Sequence, residues 1–167
     1  GEDAVSAEMA QNQAIDSDLE AYKRQNPLFS VLSPSQYTGN ACIGFASGVD
    51  TAKVNRYLAM PQIAEIFPSE FIPMWSVKPS EMFDSDNIFE LIAIKSTSRN
   101  GKAKLDGGVV TDARVVYDHG TNGEPSVSMS MNAEGANIWA RMTGDNVGRQ
   151  IAIVLDGMVY SYPNVNG

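Results

Sequence analysis

The chain has 167 residues and a mass of 18.0 kDa, with 43% hydrophobic and 19% charged residues, a composition that suits one globular domain with room for a sizeable core. Twenty acidic residues against twelve basic ones leave a net charge of -8, which argues against a nucleic-acid binder that draws its affinity from paired phosphates and disfavours docking on anionic lipid. The longest unbroken aliphatic run, Ile151-Ala152-Ile153-Val154-Leu155, falls far short of the ~20 residues that cross a bilayer, so this chain is not expected to insert in a membrane by itself.

Residues Ala4 to Arg24 lack Pro and Gly and are rich in Ala, Glu and Gln, which predicts a helix. Its apolar stripe is thin (Val5 and Met9, then Ile15, Leu19 and Tyr22), and acids precede Lys23 and Arg24 in the order that suits the helix dipole. A solvated helix flanking the domain is expected over 1–26. Asn26 to Asn40 reads as loop, and Ala41 to Ala46 as a short strand. Asp50 or Thr51 is placed to cap a helix running to about Met60, and Pro61 restarts a short helix to Phe67. Phe71 to Val77 and Ile88 to Lys95 read as strands joined by the turn-rich stretch 78–87.

The second half is clearer. Val109 to Asp118 is a strand entered through Gly107-Gly108. Ser126 to Met131 alternates strictly, so Val127, Met129 and Met131 share a face. Asn132 caps a helix from Ala133 to Met142, with Ala136, Trp139 and Met142 on its inner side. Gln150 to Leu155 and Met158 to Tyr162 form a hairpin across Asp156-Gly157, a pair that favours a type I′ turn. These elements predict an α+β domain over 27–167, with a mostly antiparallel sheet and helices packed to one side.

Chemistry-bearing motifs are sparse. His119, the single histidine, sits in the turn Tyr117-Asp118-His119-Gly120 and reads as a surface residue. Cys42, the single cysteine, excludes an internal disulfide and a multi-Cys metal knuckle, and reads as a small buried hydrophobe. Asp84-Ser85-Asp86-Asn87 begins like a calcium loop, but Phe89 stands where that loop needs Gly and Lys95 where it needs Glu. No nucleophile elbow and no phosphate-cradling Gly motif is present. No catalytic, metal or cofactor site is therefore expected. Of the eight methionines, Met129, Met131 and Met142 are explained by core filling. Met74-Trp75 and Met82-Phe83 are the better candidates for an exposed apolar patch, with core packing as the competing reading.

One segment carries a resemblance. It runs from Val127-Ser128-Met129-Ser130-Met131-Asn132-Ala133-Glu134-Gly135-Ala136 through Trp139-Ala140-Arg141-Met142-Thr143 to Ile151-Ala152-Ile153-Val154-Leu155-Asp156-Gly157-Met158-Val159-Tyr160-Ser161-Tyr162-Pro163. Together with Leu105-Asp106-Gly107-Gly108-Val109, it resembles the first periplasmic region of the SecD/SecDF protein-export family, in particular its head subdomain. Tyr162 departs from the small residue common there. On this resemblance Asn132, Glu134, Gly135, Trp139, Thr143, Asp156, Gly157 and Pro163 are scaffold residues of the motif.

The resemblance implies a protein-transport accessory rather than an enzyme. The parent would be a multi-pass inner-membrane protein using the proton-motive force, of which this chain, opening on Gly1 and closing in a loop, is a periplasm-facing segment. Its implied partners are unfolded preprotein and, through the parent, a SecYEG-type channel and a SecF-like subunit; no cofactor is implied. Met74, Trp75, Met82 and Phe83 are the candidate preprotein contacts. A rival reading is a periplasmic small-ligand or glycan-binding module with Trp75, Tyr160 and Tyr162 as a stacking platform, which requires a concave pocket with convergent polar groups. A hydrolase built on a carboxylate pair is a weaker third.

Overall fold

The structure is a computed structural model that describes residues 2–96, 98, 100–117 and 125–166. His119 and Asp118 lie outside the described residues. The chain divides into two compact units. The first comprises 1–69, 73–93 and 154–160, and the second 70–72, 94–153 and 161–167.

The first unit opens with α1 (Glu2–Gln25). Ile15, Leu19 and Tyr22 of this helix are all exposed, as a thin apolar stripe predicts. It is tied to the following 3₁₀ turn, Pro27–Ser30, by stacking of Tyr22 on Phe29 at 6.3 Å between ring centroids. Asn26 closes the joint, its backbone and side-chain N–H groups both donating to the Tyr22 carbonyl.

Six strands form the sheet: β1 (Ser33–Pro34), β2 (Cys42–Ser47), β3 (Phe71–Pro79), β4 (Ile88–Lys95), β7 (Ile153–Leu155) and β8 (Met158–Ser161), in the order β1-β2-β4-β3-β8-β7. β1 with β2 and β2 with β4 are antiparallel, while β3 and β8 run parallel through Ser76 and Val159. The α+β class with a mostly antiparallel sheet is therefore the fold found. The two-residue strand β1 is a difference from the loop read over 26–40; its residues, Ser and Pro, carry no strand propensity.

Two short helices, α2 (Thr51–Leu58) and α3 (Pro61–Ala64), follow β2. Pro61 opens α3 as expected of a residue whose missing N–H would have no helical partner there. Asp50 makes no side-chain cap, because its backbone is already in the helical region at φ -98° and ψ -11°. Its carbonyl instead accepts from the amides of Lys53 and Val54, and the Thr51 hydroxyl donates back to the Gly48 carbonyl.

The core gathers Leu32, Ala46, Val54, Leu58, Trp75 and Leu91, with Val54 and Leu91 fully buried. The Trp75 indole N–H donates to Asn55 Oδ1 at 2.8 Å, so the buried ring meets α2 with its polar edge satisfied. Cys42 is buried on β2, and loss of hydration pushes its thiol up to about 11, with the Glu90 carboxylate adding in the same direction. It is therefore protonated at neutral pH and behaves as the apolar residue the sequence predicts.

In the second unit β5 (Val110–Tyr117) and β6 (Pro125–Met131) pair antiparallel into a two-stranded ribbon, and α4 (Ala133–Gly144) follows directly. The tail folds back within this unit. Gln150 bridges Asn164, the Gly148 amide donates to the Val165 carbonyl, and the Ile151 amide to that of Pro163.

Candidate functional site

Three hydrogen bonds position α4 against the lead-in to β5. Asp106 Oδ1 accepts from the Gly108 amide at 2.8 Å and sets the 3₁₀ turn Gly107–Val109. Asn132 Oδ1 accepts from the Gly135 amide at 2.8 Å, the N-cap predicted from its type and place. The Asn132 amide in turn donates to the Val109 carbonyl at 2.9 Å. These bonds bring Val109 so close to the first turn of α4 that a Cβ at position 135 would stand 2.6 Å from Val109 Cβ and Cγ2. Gly135 is thus required by contact rather than by its φ, and its neighbour is the residue leading into β5.

The remaining motif residues hold ends and turns. Glu134 is exposed in the first turn of α4, where a carboxylate suits the helix dipole. The Thr143 hydroxyl donates to the Trp139 carbonyl one turn back, and Asn146 Nδ2 to that of Met142. Asp156 and Gly157 adopt φ of 50° and 75°, the pair of positive values a type I′ turn needs to join β7 and β8. The Pro163 carbonyl receives the Ile151 amide.

The ribbon has two unlike faces. The pairs Ala113–Met129, Val115–Val127 and Tyr117–Pro125 alternate with Asp112–Ser130, Arg114–Ser128 and Val116–Ser126. The first set is apolar, and the second largely polar. At the α4 end, Val127, Met129 and Met131 with Ala136 and Trp139 line a groove of about 330 Å³. The common face read from the alternation exists. Its assignment to core filling is corrected at Met129, which is 40% exposed, and Met131 and Met142 are only half-buried. Val127 is 69% exposed, and Val115 and Tyr117 beside it are exposed as well. One 12-residue helix covers only part of the face, and no other strand pairs with either edge of the ribbon among the described residues. Alternation gives the face of a residue but not whether anything lies on it, so the opening leaves no trace in the residue pattern.

The other candidates lie in the first unit. Trp75 is 8% exposed and Met74 half-buried on β3, so the Trp75 ring belongs to the core. Met82 and Phe83 are 53% and 43% exposed in the loop between β3 and β4, with Phe83 set edge-on to Phe45 at 5.0 Å. Tyr160 is exposed and Tyr162 half-buried. The groove is lined by apolar side chains, whereas a glycan site calls for convergent polar ones. No group of three or more His, Cys, Asp or Glu side chains able to hold a metal ion occurs among the described residues.

The part of the chain that holds these caps and turns and the ribbon matches a known family. Residues 86–167 match the family described as SecDF, P1 head subdomain, a stretch that takes in β4, the ribbon, α4 and the β7–β8 hairpin. Protein translocase subunit SecD of Rhodothermus marinus is 42% identical over 144 residues, covering 85% of this chain and 22% of that relative. SecD of Dictyoglomus turgidum is 39% identical over 84 residues, covering 48% of this chain and 21% of its own. SecDF of Thermus thermophilus is 43% identical over 63 residues, or 38% of this chain and 8% of that one. The chain belongs to the SecD/SecDF family of protein translocase subunits, and spans about a fifth of the length of the two SecD relatives just named. No solved structure matches it. Among the described residues no helix is long and apolar enough to cross a membrane.

Proposed function

We propose that this chain is the periplasm-facing head portion of an inner-membrane SecD-type subunit and that it contacts preprotein as it emerges during export. In this reading residues 27–167 work as one functional domain with α1 flanking it. The proton-motive force is used by the parent's membrane part, in company with a SecYEG-type channel and a SecF-like subunit. The chain itself contributes binding and no bond chemistry.

The observation that carries the reading is the open apolar face of the β5–β6 ribbon, in the region that matches the family's head. An unfolded chain offers apolar side chains and unpaired backbone groups. A ribbon with an apolar face and strand edges suits both, with little demand on sequence. Met82 and Phe83 offer a second exposed apolar pair. Trp75 supports β3 from within the core instead of touching a client.

Photo-crosslinking in the full-length parent tests this. Probes at Val127 and Met82 are expected to trap a stalled export substrate, while a probe at the exposed Lys102 gives only background. Adducts at Val127 and Met82 no more frequent than with a folded control protein would overturn the reading.

A further inference from the structure

The loop between β3 and β4 reads Glu81-Met82-Phe83-Asp84-Ser85-Asp86, an exposed apolar pair set between exposed carboxylates. It is a built loop. Its near end is pinned by Ser80, which is buried, donates its hydroxyl to Glu90 Oε1 at 2.6 Å and accepts from the Met82 amide. Its far end is pinned by Asn87, whose Nδ2 donates to the Ser47 hydroxyl at 2.9 Å and whose carbonyl accepts from the Gly48 amide. Phe83 is seated edge-on against Phe45. The apolar pair is thus held in place while staying open to water.

Charge separates this loop from the ribbon. None of Glu81, Asp84 and Asp86 is ion-paired among the described residues. The first unit as a whole carries thirteen acidic and five basic residues, so its net charge has the same sign as the loop's. A field of that sign repels acidic segments and draws basic ones, and the exposed Phe83 ring adds a place for a cation over its face.

We propose that loop 81–86 binds an extended polypeptide segment in which apolar residues alternate with Lys or Arg, Met82 and Phe83 taking the apolar side chains and Glu81, Asp84 and Asp86 the cations. This rests on the reading of the chain as a preprotein-contacting domain, and narrows the clients at this loop to basic amphipathic stretches.

The test uses the full chain and three labelled peptides of one apolar sequence, flanked by Lys, by Ser or by Glu, with binding followed by fluorescence anisotropy. The Lys peptide is expected to bind about fivefold to tenfold more tightly than the Ser peptide, and the Glu peptide more weakly than either. High salt should erase these differences. The combined variant Glu81→Gln, Asp84→Asn, Asp86→Asn, made at exposed positions, should do the same at low salt. The double variant Met82→Ser, Phe83→Ser should weaken the Lys peptide. Equal binding of all three peptides would overturn the charge preference while leaving polypeptide binding intact. A Lys preference that survives neutralisation of the three acids would overturn the assignment to this loop. Absence of binding by every peptide would overturn this proposal and the functional reading beneath it.

Discussion

The two units of the chain are held together by different means. The first contains every buried large apolar side chain among the described residues, from Leu32 through Leu91 to Val159, and the whole of the -8 net charge. The second carries seven acidic and seven basic residues, and Gly135 is its one buried residue among those described. A side-chain core fixes the first. An N-cap, an Asp-set turn and one glycine contact fix the geometry of α4 in the second, with its apolar side chains left half-covered. The difference teaches that a motif can set the geometry of a helix through a few polar caps and one close contact, leaving its hydrophobic surface partly exposed.

Substitutions sharpen that contrast. Leu91→Ala, at a fully buried position of the first unit, is expected to cost about 2–5 kcal/mol in urea unfolding of the chain. A loss below about 1 kcal/mol would mean that the core described is not what holds this unit. Gly135→Ala forces a Cβ onto Val109 and is expected to cost about 1–3 kcal/mol, against the gain that alanine brings to an open helix position. Combining it with Val109→Ala should recover part of the loss, because a methyl of the offending side chain is then gone; strict additivity of the two would remove the contact from the account. Met129→Ser, at the exposed ribbon face, should change stability by less than about 0.5 kcal/mol, and a core-sized loss there would break the distinction between the units.

Much of this was legible in the chain. Strand β4, the cap at Asn132 and the turn at Asp156-Gly157 follow from local residue type, because each is decided by neighbours a few positions away. Gly135 could be singled out, but its partner Val109 lies 26 residues earlier, and no local pattern names it. Two apolar pairs looked alike in the sequence. Trp75 entered the core because Asn55 on α2 satisfies its indole N–H, whereas Met82 and Phe83 stayed outside on a loop pinned by Ser80 and Asn87. The strict alternation of β6 located the apolar face, but whether a third layer covers it depends on the rest of the chain. The exposed apolar surface was therefore the least visible part, since it consists of what the fold fails to bury.

Hydrogen exchange on the full chain, with and without an unfolded client polypeptide, tests most directly whether that open ribbon is where the client sits. The account predicts that amides of β5 and β6 gain protection when the client is added, while those of the core strand β2 keep their rates. Unchanged exchange in the ribbon under saturating client, or an equal gain in β2, would contradict it.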